Sequence, residues 1–467
     1  MTASFVGLRL SDLRGRIDAG FALNALPLEK TARSWPAERL GDLLQLIQYG
    51  SSSLASMEPT GTPMLRMNNL QDDGWDLTDL KYVKFSSSEL QKYQLVRGDV
   101  LINRTNGTRE LVGKSQVFKG EGEWVFASYL IRMRFDESRV LPEFVVSYLN
   151  SDVGRAQVSA NSRQILQTNI SASELKELVI PVPPIDVQEA LVRGISEGLA
   201  NRDARTREAA ARLDGIGNAF MDLLSVPAPA SIQPNIFSVR LSDLASTRFD
   251  ANSFRPVYAH DSPRFAGETA RLDELAEIDP FTGGPQQEMV PYAGLPQCDF
   301  LDVRRVVQRP LAEVRSRKVF KKGDLLFARI EPSVFNLKYP WARSSLLNDL
   351  DGIYTSTEFY VLRSATETMQ AYLFAALRSS FVRAQVAGRT TGSSGRRRID
   401  KSLFASIIVP TPSPEQLEQV SGFVLEALDA FADLTNAASS EWLEAKQTFA
   451  KALIGSSDDL LDGAFVV

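Results

Sequence analysis

The chain has 467 residues, 44% hydrophobic, 23% charged and 9% aromatic, with a net charge of −5. This length predicts two to four domains, and this composition excludes global disorder. One cysteine, Cys298, and one histidine, His260, exclude an intrachain disulfide, a thiolate zinc cage and a histidine-rich metal centre, and would route any Ser-His-Asp triad through His260.

From Met1 to Arg16 no basic stretch precedes an apolar run, so no signal peptide is read. No apolar run approaches the ~20 residues of a membrane span. The expectation is a reduced, cytoplasmic protein. Asp99 to Arg104 reads as a short apolar strand, and Asn106-Gly107 as a hairpin turn, because both residues tolerate positive φ. Glu123 to Phe135 alternates, which predicts Val125, Ala127, Tyr129, Ile131, Met133 and Phe135 on one strand face. A helix over Pro142 to Val158 follows, then a small strand ended by Ile180-Pro-Val-Pro183. Val187, Leu191, Ile195, Leu199, Ala209, Leu213, Ile216, Phe220 and Leu223 then recur at the spacing of a coiled-coil seam. Gly194, Gly198, Gly215 and Gly217 weaken this helix by up to ~1 kcal/mol each relative to Ala, and glycines so spaced let a partner helix approach closely. Ser225-Val-Pro-Ala-Pro-Ala-Ser231 reads as a linker.

Beyond the linker the same order returns. Gly352 to Arg363 alternates, a helix spans about Thr368 to Val386, and Val409-Pro-Thr-Pro412 ends a strand. Pro414 opens a second long helix at a tolerated first-turn position. Its seam runs through Leu417, Val420, Val424, Leu428, Phe431, Leu434, Ala438, Trp442, Ala445, Phe449 and Leu453. At about 40 residues each, the two helices are roughly 60 Å long. Two similar seams in one chain predict a mutual antiparallel pair. Ser456 to Val467 is an acidic, frayed end.

The return is a repeat in the strict sense. Arg9-Leu-Ser-Asp-Leu13 recurs as Arg240-Leu-Ser-Asp-Leu244, Arg16-Ile-Asp-Ala19 as Arg248-Phe-Asp-Ala251, and Arg39-Leu-Gly-Asp-Leu43 as Arg271-Leu-Asp-Glu-Leu275. Gly98-Asp-Val-Leu-Ile-Asn-Arg104 recurs as Gly323-Asp-Leu-Leu-Phe-Ala-Arg329, Arg155-Ala-Gln-Val158 as Arg383-Ala-Gln-Val386, and Ile180-Pro-Val-Pro183 as Val409-Pro-Thr-Pro412. All offsets lie between 225 and 232, in one order. The chain is one module written twice.

Equipment for catalysis is sparse. Arg109-Glu-Leu-Val-Gly-Lys-Ser115 suggests a phosphate loop, but Thr108 stands where a glycine is required and the context is a hairpin. No Gly-x-Gly-x-x-Gly follows a strand, and no Asn/Asp-Pro-Pro-aromatic tetrapeptide occurs. What remains are polar and basic loops suited to phosphates and base edges. Asn103-Arg-Thr-Asn-Gly-Thr-Arg109 supplies Asn103, Arg104, Asn106 and Arg109, with Lys114 just beyond. A second loop supplies Arg163 and Gln164 and continues through Gln167-Thr-Asn169. Its counterpart, Gly388 to Arg398, supplies Arg389, Arg396, Arg397 and Arg398. Leu301 to Ser345 carries 11 basic and four acidic residues, among them Lys321, Lys322, Arg329, Lys338 and Arg343. The whole-chain acidity argues mildly against nucleic-acid binding, and this local excess argues for it. A solvated charged face is the plain alternative for each cluster.

Asn169-Ile-Ser-Ala-Ser-Glu-Leu-Lys-Glu-Leu-Val-Ile-Pro-Val-Pro-Pro-Ile-Asp-Val-Gln188 resembles the signature of the specificity (S) subunit of Type I restriction-modification systems. Gly98 to Arg104 and Glu110-Leu-Val-Gly-Lys114 are similar to its target-recognition domains. The second copy departs from the signature, with Ile399-Asp-Lys-Ser402 for the Asn-Ile start and Ser413 between Pro412 and Pro414. The resemblance implies an α+β fold: two tandem β-rich target-recognition domains, each followed by a long helix, the helices pairing as an antiparallel coiled coil with pseudo-twofold symmetry. The expected division is 1–183 first recognition domain with a lead segment, 184–226 first spacer helix, 227–412 second recognition domain with a lead segment, 413–455 second spacer helix and 456–467 tail. Two readers on one spacer would sit of the order of a helical turn apart, ~34–36 Å, on double-stranded DNA. The resemblance also implies a non-catalytic subunit that reads a bipartite asymmetric target and directs two adenine methyltransferase subunits and a restriction/translocase subunit to it. It implies no cofactor on this chain, with methyl donor and ATP on those partners, and no metal. Two other readings stay open: a DNA-binding or scaffold subunit of a related phage-defence system, and a nuclease using carboxylates and a metal.

Overall fold

A computed structural model describes residues 35–71, 74–106, 111–164, 168–227, 265, 267–280, 284–299, 301–331, 333, 336–386, 390–392 and 397–454. The linker beyond 227, His260, both Arg-Leu-Ser-Asp-Leu segments and the acidic end lie outside these residues. The chain divides into two compact units, 1–205 with 436–467, and 206–435.

The first unit is built on a four-stranded sheet in the order Leu44–Tyr49, Leu130–Phe135, Val100–Asn103, Ser115–Val117. One face packs Ile102, Ile131 and Met133 against Phe144, Tyr148 and Val158 of the helices Pro142–Asn150 and Asp152–Asn161. The opposite face packs Leu101 and Leu130 against Leu65, Leu70 and Phe126. Both faces are therefore buried, and this is why simple alternation over 123–135 misleads. The continuous strand predicted there is two strands, Val125–Phe126 and Leu130–Phe135. Tyr129, expected inward, lies between them and is 53% exposed.

Three landmarks of the repeat, Gly-Asp, Arg-Ala-Gln-Val and Pro-x-Pro, prove to be structural locks. Gly98 and Gly323 take φ of +92° and +96°, where a Cβ is strained. The next residue in each copy is a buried aspartate. Asp99 accepts from the backbone N–H of Val96 at 2.9 Å and pairs with Arg134 at 2.7 Å. Asp324 accepts from the N–H of Lys321 at 2.7 Å and pairs with Arg363 at 2.7 Å. In the Arg-Ala-Gln-Val copies the glutamine clamps the Pro-x-Pro strand. Gln157 brackets Val179, accepting from its N–H at 3.1 Å and donating to its carbonyl at 2.7 Å. Gln385 does the same to Ile408, at 2.8 Å for each bond. Those strands, Val179–Pro181 and Ile408–Pro410, pair antiparallel with Ala37–Arg39 and Thr269–Arg271.

The helix predicted over 142–158 is interrupted, as is its counterpart. Ser151 ends one helix and caps the next through Gly154 N–H at 3.2 Å. Ser379 separates Glu367–Arg378 from Ser380–Val386 and caps Val382 N–H at 3.3 Å.

In the second unit, Leu325–Ala328 lies beside Phe359–Arg363, which lies beside Glu277–Ile278. Leu325, Phe327, Tyr360 and Leu362 pack on Tyr372 and Phe374 and on Phe404. Leu326 and Val361 face a second cluster with Phe320 and Ile353.

The long helices are Ile185–Leu223 and Pro414–Ile454. Gln188, fully buried, opens the first: it accepts from Leu141 N–H and donates to the carbonyls of Arg139 and Pro183. In the first unit a Cβ at Gly198 would lie 2.6 Å from that of Ala445. Arg205 pairs with Glu441, its Nε 2.9 Å from Oε2. Contact partners fall in number along one helix as they rise along the other, so these segments run antiparallel. In the second unit Ile216 and Phe220 join Val420, Val424 and Leu428 in one cluster. Of the four glycines read as close-approach points, Gly198 alone meets the other helix. Gly217 lies against the carbonyl of Arg378 at 2.7 Å, and Gly194 and Gly215 face open space.

Candidate nucleic-acid interface

The two polar loops of the first module meet. Thr105–Asn106, Thr168–Asn169 and Arg163–Gln164 form a three-stranded sheet with Thr168–Asn169 in the centre. Asn106 pairs with Thr168 and Thr105 with Asn169, while Arg163 pairs with Asn169 and Gln164 with Thr168. Asn106 is thus a strand residue, held by a non-local pairing. Gly107, with which it was read as a hairpin turn, lies outside the described residues.

Arg104 is the hinge of this patch. Its N–H donates to the Tyr129 carbonyl at 3.0 Å and its carbonyl accepts from Ile170 N–H at 2.8 Å. Its guanidinium lies 4.8 Å from the centre of the Tyr49 ring, and its Nε is 3.4 Å from Asn169 Oδ1. Tyr49 is 40% exposed. The ring both fixes the cation and is open on the surface.

The second module repeats this frame with other side chains. Arg329 N–H donates to the Glu358 carbonyl at 2.9 Å, and Ile399 N–H donates to the Arg329 carbonyl at 2.9 Å. Arg398 bridges to both Ile330 and Thr391, as Asn169 pairs with both Thr105 and Arg163. Arg329 also sits over an aromatic ring, 5.1 Å from the centre of Tyr360. These bonds equate Arg104 with Arg329, Tyr129 with Glu358, Asn106 with Glu331 and Asn169 with Arg398. The chemistry differs sharply at the last three. Arg398 pairs with Glu358 through Nε at 2.9 Å and Nη2 at 2.7 Å. Arg397 Nε lies 3.5 Å from Glu331, and its Nη2 donates to the Thr390 carbonyl at 3.2 Å.

Other sequence candidates fall elsewhere. Asn103 is 2% exposed; its Nδ2 holds the Leu111 carbonyl at 2.9 Å, so it serves the frame. Lys114 is half-buried on the neighbouring strand end, its carbonyl accepting from Asn103 N–H at 2.8 Å. Arg109, Arg389 and Arg396 lie outside the described residues. The basic stretch 301–345, read as a local excess of positive charge, is divided in space. Lys321, Lys322 and Arg343 stand at the Gly323 end of strand Leu325–Ala328, opposite to Arg329, because the strand separates them. There Lys321 pairs with Asp351 at 2.9 Å, Lys322 donates to Asn348 at 2.5 Å and Arg343 lies 3.3 Å from Asp429. Lys338 donates its ammonium to the Leu295 carbonyl at 2.7 Å. Sequence reasoning missed Tyr49, Glu331 and Glu358. Aligning the two copies through the Gly-Asp landmark, with four extra residues in the second copy between that landmark and Phe359, brings Glu358 opposite Tyr129.

Among the described residues no group of three or more His, Cys, Asp and Glu side chains could hold a metal ion. Among them no helix is long and apolar enough to cross a membrane.

The chain is similar to the EcoKI specificity subunit of Escherichia coli, 27% identical over 39% of this chain and 40% of that one. It is also similar to the StySPI specificity subunit of Salmonella potsdam, 23% identical over 44% and 45%. The matches thus span about two fifths of these relatives' length. A crystal structure of a Type I restriction-modification S subunit from M. genitalium aligns over 91% of this chain and 96% of that one, at 14% identity and a TM-score of 0.41. The family model for the Type I restriction modification DNA specificity domain matches residues 33–204, which include the whole first patch.

Proposed function

We propose that the chain is the non-catalytic DNA-recognition subunit of a Type I restriction-modification system. Its two modules each read one half of a bipartite, asymmetric target in double-stranded DNA. The long helices form an antiparallel coiled-coil spacer with pseudo-twofold symmetry between readers spanning 1–183 and 227–412. The chain directs adenine methyltransferase subunits, two of them, and a restriction/translocase subunit to the target. Methyl donor and ATP belong to those partners.

One observation carries this reading: a three-stranded patch in the first module and a bridged patch in the second share a backbone frame and differ in the side chains they offer. A shared frame keeps one docking geometry; different side chains permit different half-sites. In the first module, Arg104, Asn106, Arg109, Arg163 and Gln164 are the proposed contacts. In the second module they are Arg329, Arg389, Arg396, Arg397 and Arg398. A tagged full-length chain, cross-linked in its own cells, tests this. Sequencing of the retained fragments is expected to yield a two-part sequence with a fixed gap. Fragments without a common sequence would contradict the reading.

A further inference from the structure

Resting on that reading, we propose that Arg398 is the guanine-reading residue of the second module and that Glu358 is its positioning residue. The equivalent frames separate two kinds of group. Arg104 and Arg329 are the same residue in both copies, held by the same two backbone bonds and stacked on a ring in each. A group kept while the targets differ is suited to the phosphate backbone, which carries no sequence information. The central strand position differs: Asn169 in the first copy, Arg398 in the second. A group that changes between two readers on one frame is suited to a base edge.

The geometry of Arg398 adds to this. A surface arginine has several rotatable bonds, and fixing them on DNA costs entropy. Glu358 fixes them in advance through two charge-assisted bonds to one edge of the guanidinium, 2.9 Å at Nε and 2.7 Å at Nη2. The backbone on both sides is held too: Arg398 exchanges hydrogen bonds with Thr391 at 2.8 Å each way. The side chain is 34% exposed and that of Glu358 is 21% exposed, so the pair lies at the surface. A guanidinium with its plane set in this way matches the O6 and N7 acceptors of guanine in the major groove. A lysine has the charge without the planar fork.

The test uses the full-length chain in its own cells, with the retained fragments sequenced as above. Arg398→Lys is expected to lower the preference for guanine at one position of one half-site, by on the order of tenfold or more, and to leave the other half-site intact. Glu358→Gln keeps the side-chain shape and is expected to relax the same position to a smaller degree. Loss of fold would reduce all retained DNA and leave the base preference of what remains unchanged, so the two effects are distinct. If Arg398→Lys and Glu358→Gln retain the wild-type sequence at every position, the pair is a structural ion pair or a phosphate contact, and the inference fails while the two-reader function stands. If the wild-type chain itself retains no common sequence, both fail.

Discussion

Asp99 is fully buried, and this is tolerated because Arg134, Arg132 and the Val96 N–H surround it. Burying a charge and then removing its partner is one of the costlier single changes in a folded protein. Asp99→Ala is therefore expected to lower stability by about 3–5 kcal/mol in urea unfolding, with Asp324→Ala comparable. A loss below about 1 kcal/mol would mean that water reaches the remaining arginines. Cys298 gives a second residue-level expectation. Burial pushes its thiol up to about 12, so its thiolate fraction near neutral pH falls about a thousandfold below that of an ordinary cysteine. It should resist a thiol-specific dye in the native chain and react once urea unfolds it. Arg104→Ala and Arg329→Ala belong at this scale as well. Each should weaken binding to all DNA sequences alike and reduce the slope of log affinity against log salt by about one.

At the scale of elements, the long helices make a paired prediction of opposite sign. Gly198 lies against Ala445, where an added Cβ would come within 2.6 Å; Gly194 faces open space. Gly198→Ala is expected to destabilise by about 1–3 kcal/mol through overpacking. Gly194→Ala should stabilise by up to ~1 kcal/mol through helix propensity. Thermal melting of the two variants compares them directly. The long helices, the Gly-Asp strand and the Pro-x-Pro strand were all legible in the sequence. Each has a local cause: a helical seam, a glycine forced to positive φ, a proline that ends a strand. Three features were not legible. The break at Ser151 depends on a cap that any serine could make. The exposure of Tyr129 depends on a sheet buried on both faces. The three-stranded patch joins Thr105–Asn106 to Thr168–Asn169, some sixty residues apart, and local periodicity carries no information about such pairing. The sequence had named the two loops that meet there without indicating that they meet.

At the scale of the whole molecule, the repeat is what makes function readable. Six landmarks recur in order, and the structure gives several of them structural duties, with Gln157 and Gln385 clamping equivalent strands. The strand Leu325–Ala328 divides the basic stretch 301–345, so charge count along the chain does not track charge in space. On the proposed reading, the side chains that differ on the shared frame, Arg398 above all, are where the second module would read its own sequence. Binding should weaken steeply with salt, since phosphate contacts release counterions. The central claim is that this chain chooses where its partners methylate. The most direct measurement is a single-molecule map of methylated adenines in the host genome, with the gene intact and with it deleted. The account predicts that one split, asymmetric methyladenine motif disappears on deletion and returns when the gene is restored. An unchanged map, with the chain expressed in the intact strain, would contradict it.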